Sequence, residues 1–156
     1  MTDIVVAVFP DERKAADVAR LLDNSHAGAE NIPVLGLAVL TKREDGTLVE
    51  EQWSDRLPLR APVGALVGAL IGLPAGMLGS AIGFVSGAWI GLAQDLKRVG
   101  ISEGLLSNVA AKLGGRNSAL IIEVPKSASE RLQSWLRERG AVVVQESLKP
   151  AAESPA

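Results

Sequence analysis

The side chains that perform covalent or acid–base chemistry are scarce in this chain. It has one His, no Cys and no Tyr. His26 has no second imidazole and no thiolate to share a metal with, and protein zinc sites use three or four such ligands. It is expected to be an exposed loop residue. The acidic cluster Glu44, Asp45, Glu50, Glu51 and Asp55 could offer oxygen ligands to Mg²⁺ or Ca²⁺. It lacks the spacing of a calcium loop, and a solvated edge hairpin accounts for it better. Lys112 to Ser118, with paired glycines and Arg116, could cradle an anion. It lacks the phosphate-loop pattern and precedes a strand, so a helix cap and turn is expected. Glu123, late in an apolar strand, would need a partner to serve as a base, and the sequence names none. The expectation is a protein that is not an enzyme, with no catalytic residue, metal or cofactor.

Composition narrows the classes further. The 156 residues are 47% hydrophobic and 22% charged, with a net charge of −2. A core can form, and no cationic excess is present to neutralise phosphates, so nucleic acid is not expected as a partner. Asp3 sits where a signal peptide would be basic, and Pro10 ends the first apolar run. The N-terminus is therefore expected to stay in the cytoplasm.

The most informative residues carry no side chain. Gly64, Gly68, Gly72 and Gly76 recur at spacing four, and Gly79, Gly83, Gly87 and Gly91 repeat the pattern after a step of three. Positions four apart share one face of a helix. Each set would make a bare stripe for close helix–helix approach and self-association. A helical Gly costs about 1 kcal/mol relative to Ala, so eight of them demand compensation by packing. Pro74 interrupts the segment and disfavours helical geometry at Leu73. Two arms are expected, Pro62 to Leu73 and Ala75 to Gln94, folding as a hairpin.

No charged residue lies between Arg60 and Asp95. A helical span needs about 20 residues and two spans with a turn about 44; only 34 uncharged residues are present, Ala61 to Gln94. One span plus a half-length arm, or a re-entrant hairpin, fits that length. Arg56 and Arg60 precede the segment, Lys97 and Arg98 follow it, and Trp89 lies near one end. These flanks are read as a membrane interface with both ends on the cytoplasmic side.

The elements around this segment are ordinary. Ile4 to Phe9 is a buried strand. Asp11 is a candidate N-cap for a helix carrying Ala15, Val18, Ala19 and Leu22 on one face. Ile32 to Lys42 is a strand with Gly36 as a possible bulge, Asp45-Gly46 is a hairpin turn, and Thr47 to Trp53 returns as a polar edge strand. Ser102 caps a helix bearing Leu105, Leu106, Val109 and Leu113, closed by Gly114. Ala119 to Val124 is a further buried strand. Ser127 and Glu130 have the form of a capping box, opening a helix with Leu132, Trp135 and Leu136 and a C′ residue at Gly140. Ala141 to Leu148 is the last strand.

The order predicts an α+β, ferredoxin-like split βαβ sandwich with an inserted glycine-zipper helical hairpin. Residues 1–53 form its first half and 118–148 its second. The insertion is 54–117, containing the apolar segment 61–94 and the amphipathic helix 102–113, and 149–156 is a disordered tail.

The stretches "DIVVAVFPDERKAADVARLL", "GALVGALIGLPAGMLGSAIGFVSGAWIG" and "NSALIIEVPKSASERLQSWLRERGAVVVQESL", with the Asp45-Gly46 hairpin between the first two, resemble a bacterial domain-of-unknown-function family, number twelve-sixty-nine. The resemblance implies a predicted membrane protein and brings no catalytic residues. The expected function is a membrane-associated structural or assembly protein on the cytoplasmic side of the inner membrane, self-associating through the zipper and contacting lipid. The alternatives are a soluble cytoplasmic homo-oligomer with the zipper helices as its shared core, and a small-ligand sensor on a ferredoxin-like domain.

Overall fold

The structure is a computed structural model that describes residues 1–23, 32–42, 47–51, 61–72, 96–114 and 116–148. In chain order these form β1 (Thr2–Phe9), α1 (Lys14–Asp23), β2 (Gly36–Lys42), β3 (Leu48–Glu51), α2 (Ala61–Ile71), α3 (Glu103–Lys112), β4 (Ser118–Pro125), α4 (Lys126–Glu138) and β5 (Val142–Ser147). The result is a mixed α+β fold around one five-stranded antiparallel sheet, in the order β3-β2-β4-β1-β5.

Two strand–helix–strand units interlock in that order. β4 sits between β1 and β2, and β1 sits between β4 and β5. α1 and α4 cover one face with Ala15, Val18, Ala19, Leu22, Leu132, Trp135 and Leu136, packed on Val5, Ala7, Phe9, Leu120 and Ile122. The opposite face, made by Ile4, Val6, Val8, Leu40 and Ile121, is covered by α2 and α3. A strand buried on both sides has no polar-out positions to alternate with, which explains the unbroken apolar runs of β1 and β4.

Several ends depart from the expected chemistry. Asp11 does not cap α1 directly. Its Oδ1 accepts from Arg13 N at 2.7 Å, and the helix begins at Lys14. The cap comes from the far half of the chain: the buried Ser118 hydroxyl accepts from Ala15 N at 3.0 Å and donates to Asp11 O at 2.6 Å. The Ser127–Glu130 capping box does not form. β4 runs straight into α4, with Pro125 at the N-cap and no side-chain hydrogen bond, so Ser127 lies too deep in the first turn. The Lys126 amide instead donates to Met1 O at 3.2 Å. Gly36 opens β2 in continuous register with β4, and no bulge interrupts the pairing.

Other ends form as their sequences predict. Ser102 Oγ accepts from Leu105 N at 3.2 Å at the start of α3. Gly140 takes φ 86° after α4, with Gly140 N donating to Arg137 O and Ala141 N to Leu136 O; these two bonds close a Schellman end. The helical turn at 96–98 closes the same way at Gly100, φ 87°. The Asp45-Gly46 turn, the loop 24–31 and the tail 149–156 lie outside the described residues.

Ser118→Ala removes a buried hydroxyl that satisfies two backbone groups of the α1 entry. Losing a cap of this kind costs about 1–2 kcal/mol. Chemical denaturation should show a reduced midpoint with an unchanged slope.

Candidate self-association surface

α2 is apolar all round, and its sequence APVGALVGALI contains no charge. Val63, Leu66, Val67 and Leu70 are 0–3% exposed against the sheet. These positions recur at helical spacing and define the inner face. The outer face carries Gly64, Gly68, Ile71 and Gly72. Gly64 is half-buried, while Gly68, Ile71 and Gly72 are exposed. The ladder continues to the end of the helix, with Gly72 N donating to Gly68 O at 2.9 Å.

Gly68 is the telling position. A Cβ built there would meet no atom within 4 Å. The fold of the described residues does not require a glycine at that place, because neither a close approach nor a positive φ demands it. The consequence is a bare apolar ridge pointing away from the sheet, flanked by Ile71, which is 40% exposed.

α3 is fixed beside α2 by polar groups at both ends. Glu146 of β5 accepts from Ser102 N at 2.9 Å and from the Ser102 hydroxyl, so a carboxylate holds the N-terminus of α3. A negative charge is favoured at that end by the helix dipole. At the other end Lys42 Nζ donates to Leu113 O at 2.7 Å, and Asn117 Nδ2 donates to Lys112 O at 2.7 Å. Desolvation by burial lowers the Lys42 pKa below its usual value of 10.5.

Two carboxylates are buried in the sheet: Glu123, which the sequence offers as a candidate base without a partner, and Asp3, which it does not single out as a functional group. Asp3 is 2% exposed and its Oδ2 accepts from Gln145 Nε2 at 2.8 Å. Glu123, also 2% exposed, takes the Thr2 hydroxyl at 3.1 Å. Register places Glu123, Ile4 and Glu146 in one row across β4, β1 and β5. The signal in the sequence was a lone carboxylate inside an apolar strand; what was not visible was which neighbour would donate to it.

Gly64, Gly68 and Gly72 therefore come together as one outward stripe. Lys97 and Arg98 are exposed on the helical turn before Gly100, with Lys97 Nζ 3.8 Å from Glu103 Oε1 in the open. Arg56, Arg60, Pro74, Gly76, Gly79, Gly83, Gly87, Trp89 and Gly91 lie outside the described residues, as does His26. Glu50 and Glu51 stand exposed on β3. Among the described residues no group of His, Cys, Asp or Glu is arranged to hold a metal ion. No helix among them is long and apolar enough to cross a membrane. A surface depression of about 320 Å³ lies along α4, lined by Glu130, Arg131, Ser134, Trp135 and Glu138. There the Arg139 guanidinium stacks 3.6 Å above the Trp135 ring and donates to Trp135 O at 2.8 Å.

The fold and surface together define a small α+β sheet domain with an exposed, uncharged glycine-bearing face on α2. The family model described as "Protein of unknown function (DUF1269)" matches residues 61–155, from the start of α2 onward, and the chain belongs to that family. No curated protein and no solved structure matches the chain.

Two measurements probe the polar anchors. Gln145→Leu strips the donor from the buried Asp3 carboxylate and should cost about 1–3 kcal/mol in denaturant melts; Asp3→Asn should be milder than Asp3→Leu, because the amide keeps an acceptor for Gln145. For Lys42, the folded pKa lies below the unfolded one, so the unfolded chain binds more protons in the interval between them. Stability relative to Lys42→Gln should therefore rise with pH over the window ending near 10.5, measured by denaturation at successive pH values.

Proposed function

We propose that this protein is a non-catalytic assembly module that self-associates through the glycine ridge of α2 and the uncharged stretch that follows it. The single observation behind this reading is the outward ridge itself. Gly64, Gly68 and Gly72 sit on the face of α2 turned away from the sheet, and Gly68 has open space where a Cβ would fit. A helix that is apolar on every side is stable only when every side is covered. The sheet covers one side, and a second glycine-striped helix fits the other by close backbone approach.

The finer reading of the architecture follows. The interlocked strand order supports a ferredoxin-like split βαβ sandwich extended by β3, with the glycine-zipper segment inserted between its halves. α2 would then be the first arm of that zipper, docked on the sheet face that a two-layer sandwich leaves bare.

A membrane role takes a restricted form. β4 hydrogen-bonds to both β1 and β2, so residues 72 and 96 must lie on the same side of any bilayer. One crossing between them is topologically impossible. Two helical crossings need about 40 residues, and 23 residues separate those positions. Lipid contact is thus shallow: a re-entrant or interfacial apolar segment beside the exposed cations Lys97 and Arg98. Cytoplasmic placement, at the membrane surface or as a soluble oligomer, is part of the same proposal. A small-ligand sensor has less support, since the depression along α4 is open to solvent.

Light scattering with and without detergent, joined to vesicle flotation, tests this. Wild type should run as a multimer in detergent-free buffer or float with anionic vesicles. Gly68→Leu should lose at least tenfold in association affinity while keeping its far-UV circular dichroism. Gly68→Ala should raise the stability of the dissociated chain by about 1 kcal/mol, because helix propensity improves and no neighbour is displaced. A wild-type chain that is monomeric and leaves vesicles unbound would overturn the proposal.

A further inference from the structure

The two edges of the sheet differ in the charge they carry. β3 forms one edge and ends in exposed Glu50 and Glu51. Pairing β3 with another β3 would bring four carboxylates together, and like charges across strands are destabilising. Charges at an edge are also a usual guard against unwanted strand addition.

β5 forms the other edge and has no such guard. Its only charge, Glu146, shares the sheet face of Val144, where Ser102 N and the Ser102 hydroxyl hold it. Its sequence VVVQES begins with Val142, which is 52% exposed. No Pro, Lys or Arg lies within it.

The register shows which backbone groups are open. Leu148 N donates to Thr2 O at 2.9 Å, one step beyond the Asp3–Ser147 pair. Hydrogen-bonded pairs alternate along an antiparallel ladder. The even residues of β5 therefore bond to β1, while the N–H and C=O groups of Val143, Gln145 and Ser147 point outward. No described residue pairs with that outward row.

We propose that the occupant of this edge is β5 of a second copy, antiparallel to the first, so that two five-stranded sheets join into one. Antiparallel pairing of a strand with itself satisfies a two-fold axis, and odd residues meet odd residues across it. The pairing brings two carboxylates to the seam where a β3 pair would bring four, and each Glu146 is already held by Ser102 N and the Ser102 hydroxyl; the exposed Val142 gains a cross-strand neighbour. This interface is independent of the glycine ridge: it lies on a different element, and the two together would allow assembly beyond a dimer.

Hydrogen exchange and mass analysis test it on the full chain. At dissociating dilution the Val143, Gln145 and Ser147 amides should exchange much faster than those of Val144 and Glu146. At associating concentration they should slow at least tenfold. Val142→Lys places a charge on the edge at an exposed site, so it should keep the unfolding midpoint while raising the dimer Kd at least tenfold. In a Gly68→Leu background the chain should remain a dimer, and adding Val142→Lys should give a monomer. Fast exchange of the three outward amides in the associated species, or a Gly68→Leu mass that Val142→Lys leaves unchanged, would overturn the β5 interface. If Gly68→Leu has no effect while Val142→Lys dissociates the wild type, the ridge proposal fails and this one stands.

Discussion

The interior position of β4 governs the structure. Because β4 lies between β1 and β2, the two ends of the chain's middle segment are held in one sheet, and that sheet presents apolar side chains on both faces. One face is covered by helices that connect strands within each half, α1 and α4. The other has no such cover. Leaving Ile4, Val6, Val8, Leu40 and Ile121 in water would forfeit about 1.5–3 kcal/mol for each large side chain, so something must seal it. α2 and α3 do so, and their inner residues Val63, Leu66, Leu70, Leu106 and Val109 are all fully buried.

Holding the helices of both faces in place falls to a few polar groups acting across long sequence separations. Glu146 secures the start of α3 and Lys42 its end. Ser118 ties the second half of the chain to the first turn of α1. Each bond joins a strand terminus to a helix terminus, where backbone groups lack intrahelical partners. The polar residues that look incidental within apolar strands are thus fixing how the helices sit on the sheet. Asp3 and Gln145 do the same within the sheet, linking β1 to β5.

Much of this was legible from periodicity and less of it from local motifs. The inner faces of α1 and α3, and the unbroken strands β1 and β4, follow from spacing alone. Ser102 and Gly140 work because their signals are local: a hydroxyl three residues before an amide, and a residue free to take positive φ. Asp11 and Ser127 misled for one reason. Each has the right side chain near a helix start, but a tertiary contact supplied the cap elsewhere or the strand met the helix without a linker. The outward ridge was legible as a stripe, yet not its orientation. Glycine at i, i+4, i+8 defines a face without saying whether that face meets the chain's own sheet. It took the burial of Val63, Leu66, Val67 and Leu70 to show that the sheet takes the opposite side.

That orientation sharpens what the glycines are for. A helical glycine that fits tightly against its own sheet is explained by that contact, and its cost of about 1 kcal/mol is offset within the fold. Gly68 has no such contact, since a methyl group there would touch nothing. Alanine would make α2 more stable at no steric expense. The described residues therefore give no steric reason for glycine at this position. Sealing the sheet needs an apolar inner face only. A polar side chain at 68 would leave that inner face untouched, because a Cβ there meets no atom within 4 Å. The absence of every charged side chain from that outer face is the property that the described domain leaves unexplained, and it is the observation on which the proposed self-association rests.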